Sequence, residues 1–450
     1  MKFPLTLVLL FSLVPLAQAD VWTYPSPGDQ FRSKEYSVKV LQDDEVQQSF
    51  TYQDKNPDKK LINRMTDYNH WTTFSFDGSV KIEVTRMNGS AAGAEVRPLA
   101  AKIKPVISSS TIGFTITKPG KFWIKFPGME EHPLFIFADP PETDVPDRND
   151  KNVKWFEGGK VHEIGEKFRV KSGQTIYLEG GAYVKGTITG RNVDNVTIRG
   201  RGILSGIDIP RKPGVAGIPW NLIQFDGSGS QTVEGITCIQ PPHFVLLSRG
   251  KFSVRNTKLF GWYHQTDGWG GGDDSLIEDS FLKVNDDVVK FYGQNQTARR
   301  LTIWQQVNGA PFQLGWGGNG QTATNCLAED ITIIRTENTH RNPAKTSNTS
   351  LLNLQKQDPE SRISGVTIRR VRIEDDALHL LGIKDASGSI AGIQLSDIEI
   401  HGKVGSPGYL LTAGSGKVEQ ISFENIRIGG DKVGSLNWRL GPGVPSPDIR

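Results

Sequence analysis

Apolar and polar residues alternate in short runs along most of this chain. Tyr36-Ser-Val-Lys-Val40, Val80-Lys-Ile-Glu-Val84, Thr111-Ile-Gly-Phe-Thr-Ile-Thr117 and Lys121-Phe-Trp-Ile-Lys-Phe126 have period two and are separated by Gly, Pro, Asn or Asp. Period two sends successive side chains to opposite faces of a strand, so each sheet has one wet face and one core face. That pattern predicts an antiparallel β-sandwich over residues 20–146. Leu134-Phe-Ile-Phe137 closes it, and the proline- and charge-rich stretch from Asp139 to Asp150 reads as a linker.

Beyond Lys151 similar strands recur, now at intervals. They include Asn195-Val-Thr-Ile198, Gly235-Ile-Thr-Cys-Ile239, Leu301-Thr-Ile-Trp304, Asp330-Ile-Thr-Ile-Ile334, Gly365-Val-Thr-Ile368 and Ile421-Ser-Phe-Glu-Asn-Ile426. Between residues 255 and 303 the spacing is a little over twenty residues, and it is longer elsewhere. A weak repeat of that length, built of strands and turns without helices, predicts a parallel β-helix over residues 147–450, in which each coil buries its apolar positions against its neighbours. A β-propeller would need blades of about forty residues with four antiparallel strands each, and no such repeat stands out. From about Ser435, with Pro442, Pro445 and Pro447, the chain is expected to leave regular structure.

Composition adds three constraints. At 450 residues with 49 glycines and few amphipathic helical patterns, the chain reads as all-β and too long for one ordinary core. Residues 1–19 have the layout of a secretory signal: Lys2, an apolar run from Leu5 to Leu16 too short to span a bilayer, and the small-residue site Ala17-Gln-Ala19. A secreted protein, extracellular or periplasmic and without a membrane span once the signal is removed, is the expectation. Without Lys2, 51 of the 52 basic side chains face 49 acidic ones, a balance that disfavours a nucleic-acid partner. Cys238 and Cys326 each precede a strand-like run and read as small buried hydrophobes rather than a bridge. No metal-ligand spacing is present, so neither metal nor cofactor is expected, and the chain is expected to be a monomer. Sequons occur at Asn88, Asn195, Asn295 and Asn348.

The candidate chemistry concentrates in residues 261–316. Asp267 lies 19 and 20 residues before Asp286 and Asp287, close to one coil. Residues one coil apart stack about 4.8 Å from one another, so Asp267 should sit beside the pair. Three crowded carboxylates cannot all ionise cheaply, and one should have a raised pKa, as glycosidic hydrolysis requires. Strand parity conflicts with this arrangement. Asp287 shares its face with Val289 and Phe291, so both aspartates reach a groove only if Asn285-Asp-Asp287 deforms the strand. The competing reading is a turn capped by Asp and Asn, common enough that Asp273-Asp274 and Asp375-Asp376 carry no special meaning.

The surroundings favour chemistry. Trp262, Tyr263, Trp269, Tyr292 and Trp316 offer flat faces for sugar rings, with core packing as the ordinary alternative and the best one for Trp304, which ends a strand run. His264, Lys290, Asn308 and Gln313 can hydrogen-bond hydroxyls, although His264 and Lys290 each suit a structural role equally well.

The block Gln265-Thr-Asp-Gly268, Asn285-Asp-Asp287 with Lys290 and Tyr292, then Trp304, Asn308 and Gln313-Leu-Gly-Trp316 resembles the signature region of glycoside hydrolase family 49, which contains dextranases and isopullulanases. The resemblance implies a β-sandwich followed by a right-handed parallel β-helix, and hydrolysis with inversion. It implies Asp286 as general acid, with Asp267 and Asp287 positioning and activating water. The related polygalacturonases add Gly-His-Gly and Arg-Ile-Lys motifs that do not follow the aspartates here. The expected activity is endo-hydrolysis of an α-glucan, foremost the α-1,6 linkages of dextran. The alternatives are a pullulan-like or polygalacturonase-like substrate, a β-helix polysaccharide lyase, or a carbohydrate-binding β-helix without catalysis.

Overall fold

The computed structural model describes residues 20–43, 45–57, 66–211, 221–317, 322–337 and 348–450. The expected signal over residues 1–19 lies outside the described residues.

Two sheets face each other in the N-terminal part. One has the order Val21–Thr23, Tyr68–Phe76, Leu134–Asp139, Gly120–Lys125, Glu95–Arg97, with Thr51–Lys55 also paired to Tyr68–Phe76. The other has the order Glu45–Ser49, Tyr36–Gln42, Val80–Arg86, Thr111–Ile116, Val106–Ser108. All pairings are antiparallel except that of Leu134–Asp139 with Tyr68–Phe76. The alternating runs do what their period demands. Val38, Val40, Ile82, Val84, Ile112 and Phe114 point inward against Phe74, Phe122, Ile124, Leu134 and Ile136.

Among the described residues the remaining strands build one continuous, almost wholly parallel assembly of 29 strands. Each coil contributes up to three short strands. Around the candidate site one coil runs through Phe252–Arg255, Lys258–Phe260 and Trp269–Gly270. The next runs through Leu276–Glu278, Phe281–Lys283 and Val289–Lys290, and a third through Thr297–Arg299, Thr302–Gln305 and Phe312–Gln313. Equivalent strands pair in register from coil to coil, as in Leu259 with Leu282 and Leu282 with Ile303. A parallel β-helix results, with Leu204, Cys238, Leu259, Leu282 and Ile303 stacked in its interior. Cys238 and Cys326 are buried free thiols in that interior.

The second face of the β-helix is covered on its outer side as well. Ile203, Ile239, Phe260, Phe281, Trp304 and Ile334 point outward and pack on Tyr52, Trp71, Trp123, Phe135 and Phe137 of the sandwich. This double burial explains why Leu134-Phe-Ile-Phe-Ala138 is apolar without interruption, since both faces of the strand are dry. At about 1.5–3 kcal/mol per large apolar side chain, the interface belongs to the fold rather than to a loose contact between domains. Two polar pairs are buried there: Lys258 bonds Asp139, and Lys121 donates to Asn256 at 2.7 Å.

The C-terminal stretch corrects an expectation. Trp438–Leu440 pairs in parallel with Gly408–Thr412, and Asp448–Ile449 pairs with Lys417–Ile428, so the chain stays in the β-helix past its prolines. Pro442, Pro445 and Pro447 fall between these short strands, where no ladder N–H is required.

Candidate active site

The three aspartates lie at the corner between the second and third faces. Val289–Lys290 is the whole of the third-face strand in its coil, and the chain turns through residues 285–288 before it. This turn resolves the parity conflict, because the aspartates precede the strand instead of belonging to it. The corners stay in step through backbone bonds, Gly268 N to Asp287 O at 2.9 Å and Val288 N to Ala310 O at 2.8 Å. Gly309, with φ of 86°, passes so close over the turn that a Cβ there would lie 2.0 Å from the Asp286 carbonyl carbon.

One oxygen of each aspartate lies within 4.8 Å of the others. Lys290 is buried among them, 2.6 Å from Asp267 Oδ1 and 3.0 Å from Asp287 Oδ2, and 3.4 Å from the Tyr292 hydroxyl. Three further donors reach Asp287: Ala310 N at 3.2 Å, Gln313 Nε2 at 3.1 Å and Trp316 Nε1 at 2.9 Å. Gln313 is itself held by Asn353 Nδ2 at 3.0 Å on the next coil. Asp286 accepts from Gln265 N at 2.9 Å, from its neighbour Asp287 N at 3.0 Å and from Asn348 Nδ2 at 3.4 Å.

Three carboxyl groups around one ammonium carry more negative charge than the site can neutralise, so a proton is held there. Lys290 keeps its own. Burial opposes its charge, but Asp267 and the other carboxylates outweigh burial and hold the ammonium well above the usual lysine range. Two carboxyls are raised: Asp286 to about 7, by burial and then the Asp287 charge, and Asp267 well above its usual range, by burial that outweighs the ammonium 2.6 Å away. Asp286 is 8% exposed, against 3% for Asp267 and 0% for Asp287, so of the two raised groups it is the one nearer solvent.

A cleft of about 460 Å³ opens against this cluster, lined by Phe244, Arg249, Gly270, Lys290, Tyr292 and Trp316 among others. Trp316 is 46% exposed and presents its ring there. Tyr263 and His264 are half-buried on the loop before Asp267, with the Arg211 guanidinium 4.8 Å from the Tyr263 ring centre and bonded to the His264 carbonyl. Asn308 is half-buried, and its amide bonds Asn285 Oδ1 at 3.1 Å.

Two expected sugar platforms are not platforms. Trp269 is fully buried and pairs in register with Val289, in the interior of the β-helix. Trp262 is 1% exposed and turns toward the sandwich, donating its indole N–H to Asp54 Oδ2 at 2.7 Å. Trp304 is core, as its place at a strand end suggested. Gln313 is also fully buried, so it meets Asp287 and not a hydroxyl in the cleft. Arg211 and Asn348 were missed, because both come from sequence-distant loops without a motif. The sequon at Asn348 is buried against Asp286.

The aspartate cluster has cation-like spacing, but Lys290 already supplies its positive charge. Glu35, His70 and His132 form a second group with such spacing, on the sandwich. There Ser33 Oγ accepts the amides of Glu35 and Tyr36, at 3.2 and 3.1 Å, so its own proton goes to His70 Nδ1 at 3.0 Å. His70 Nε2 faces Glu35 Oε1 at 3.6 Å. A third group, Asp67, Glu131 and His132, shares its histidine with this one.

No family model matches the chain. It is 25% identical to a dextranase of Talaromyces minioluteus over 460 residues, covering 82% of this chain and 75% of that protein. It is 29% identical to a dextranase of Arthrobacter sp. strain CB-8 over 165 residues, 31% of this chain and 26% of that one. An isopullulanase of Aspergillus niger is 24% identical over 323 residues, 59% of this chain and 57% of that enzyme. Among solved structures, Dex49A from Penicillium minioluteum superposes with a TM-score of 0.76 at 17% identity over 95% of this chain and 96% of that one, which speaks for the fold. In its two-part all-β architecture and in having relatives of both named activities, the chain is similar to glycoside hydrolase family 49.

Proposed function

We propose that this protein is an exported endo-hydrolase of an α-glucan, foremost of the α-1,6 linkages of dextran, acting with inversion. The observation that carries the reading is the corner cluster, in which Asp286 is raised to about 7 beside Asp267, Asp287 and the Lys290 ammonium. Asp286 is the general acid, delivering its proton to the glycosidic oxygen as the bond breaks. Asp267 takes the proton of a water that attacks the anomeric carbon from the opposite side, and Asp287 fixes the Lys290 ammonium beside it. Lys290 balances their charge, and Gln313 and Trp316 aim Asp287.

The spacing of the carboxyl groups runs against inversion by the common rule, which assigns about 5 Å to retention and about 6.5–9.5 Å to inversion. Asp287 is nevertheless poorly placed to be a nucleophile. Lys290 and three N–H donors occupy its lone pairs, and it is fully buried. The linkage follows the names of the dextranase relatives, and the isopullulanase relative makes pullulan the first competitor.

Anomeric proton NMR during hydrolysis tests both parts. The expected result is cleavage of dextran to oligosaccharides whose new reducing ends appear first as the β-anomer. An α-anomer first would replace inversion by retention, faster cleavage of pullulan or polygalacturonate would replace dextran, and an unsaturated product would identify a lyase.

A further inference from the structure

The β-sandwich reaches the catalytic corner through one buried path. Asp54, on Thr51–Lys55, accepts the Trp262 indole N–H at 2.7 Å and the Gln240 amide at 2.6 Å. The Trp262 carbonyl accepts Asn285 Nδ2 at 2.9 Å. Asn285 then ties three coils together. Its own N–H reaches Thr266 Oγ1 at 3.1 Å, next to Asp267, and its Oδ1 accepts the Asn308 amide at 3.1 Å, next to Gly309. Asp54, Trp262 and Asn285 are all buried. Beneath them the buried Lys283 ammonium sits 4.7 Å from the centre of the Trp262 ring and 5.4 Å from that of Trp304.

We propose that Asp54 of the sandwich is a positioning residue for the turn at residues 285–287, acting through Trp262 and Asn285. This rests on the catalytic assignment made above. The path is directional in its chemistry. A carboxylate makes the stronger acceptor for an indole N–H, and the indole it fixes carries the carbonyl that holds Asn285. Asn285 is the residue before the two aspartates, so a shift of Trp262 moves Asp286 and Asp287 together relative to Asp267. A misplacement of about 1 Å in such a cluster costs roughly a hundredfold in rate. Asp54, Trp262, Thr266 and Asn285 do not line the cleft, so substrate affinity should not change with the path. The sandwich is on this account a part of the catalytic apparatus and not a detachable accessory.

The test uses the full chain and the glucan that the wild type cleaves fastest. Trp262→Phe keeps an aromatic ring beside Lys283 and removes the N–H together with the rest of the pyrrole ring. Its kcat should fall roughly ten- to hundredfold with KM within about twofold of wild type. Asp54→Leu should lose as much, and the double variant no more than either single one, because the two residues act as one unit. Asp54→Asn keeps one carbonyl acceptor and should recover part of the loss. A Trp262→Phe enzyme with kcat within about twofold of wild type, whatever its melting temperature, overturns the proposal. If Trp262→Phe does not fold, Asp54→Asn decides: reduced kcat at unchanged KM supports the path, and unchanged kcat overturns it. Asp286→Asn separates the two levels. If that variant is active, the catalytic assignment fails. If it is inactive while Trp262→Phe is fully active, only the positioning path fails.

Discussion

Trp316 donates its indole N–H to Asp287 Oδ2 at 2.9 Å while 46% of its surface stays open to the cleft. One side chain therefore offers a face to a sugar and an edge to a buried carboxylate. The two roles separate by substitution. Trp316→Phe keeps an aromatic face and loses a hydrogen bond to a charged group, worth about 1.5–3 kcal/mol. The expected result is a kcat lower by roughly ten- to hundredfold with little change in KM, and Trp316→Ala should raise KM in addition. A kcat in Trp316→Phe that matches wild type would show that the hydrogen bond does not matter to turnover.

On the proposed assignment, Asp286 sets the pH dependence. Burial and the Asp287 charge raise it to about 7, and the general acid must be protonated in the free enzyme. The kcat/KM profile should therefore fall as pH rises through about 7, with protonated enzyme active on the acid side. Asp286→Asn cannot deliver a proton and should lose at least about a thousandfold in kcat. Its melting temperature should match or exceed that of wild type near neutral pH, since a crowded carboxyl is gone. An alkaline limb that persists unchanged in the residual activity of Asp286→Asn would assign that limb to another group.

Lys290 is the only cation within ion-pair distance of Asp267 and Asp287 among the described residues. Lys290→Met removes the charge and keeps most of the volume. Breaking a buried pair by removing one partner costs about 3–5 kcal/mol at neutral pH. The sign of the pH dependence follows from the carboxyls. Without the ammonium the already raised Asp267 pKa rises further above its unfolded value, so the stability it contributes is present at low pH and lost as pH rises toward the raised value. Urea unfolding at pH 5 and pH 8 should thus show a larger deficit at pH 8. A deficit that does not change with pH would mean that Lys290 matters by packing alone.

Much of this site was legible because coil length is a local property of the sequence. The interval of 19 to 20 residues from Asp267 to the pair is close to one coil, and the structure gathers all three carboxyls at one corner. The parity conflict at Asp287 also pointed to a turn, and the chain turns there. The misread tryptophans have a different origin. Trp269 stands in register with Val289 and, one coil further, Val289 stands in register with Phe312, a core column visible only when the coils are aligned residue by residue. Trp262 looked exposed because a β-helix alone would expose it. It is covered by the sandwich, whose docking onto the second face leaves no local pattern. Arg211 and Asn348 reach the site from loops 56 and 62 residues away from Asp267 and Asp286, respectively, and loop reach is not written in periodicity.

Gly309 gives the sharpest test of the corner geometry. Its φ of 86° strains any residue with a side chain, and a Cβ there would meet the Asp286 backbone at 2.0 to 2.5 Å. These are two separate penalties. The first is conformational, about 1–3 kcal/mol, and Asn tolerates such a φ better than Ala does. The second is steric, is directed at backbone that cannot rotate away, and is the same for Asn and Ala. If strain alone matters, Gly309→Asn should be clearly more active and more stable than Gly309→Ala. If close approach to Asp286 matters, both variants should displace the turn and lose at least about a hundredfold in kcat, with a stability loss of about 2–4 kcal/mol. The contact distances favour the second outcome. Near-wild-type kcat in Gly309→Asn would show that the turn at residues 285–287 can shift without cost to catalysis.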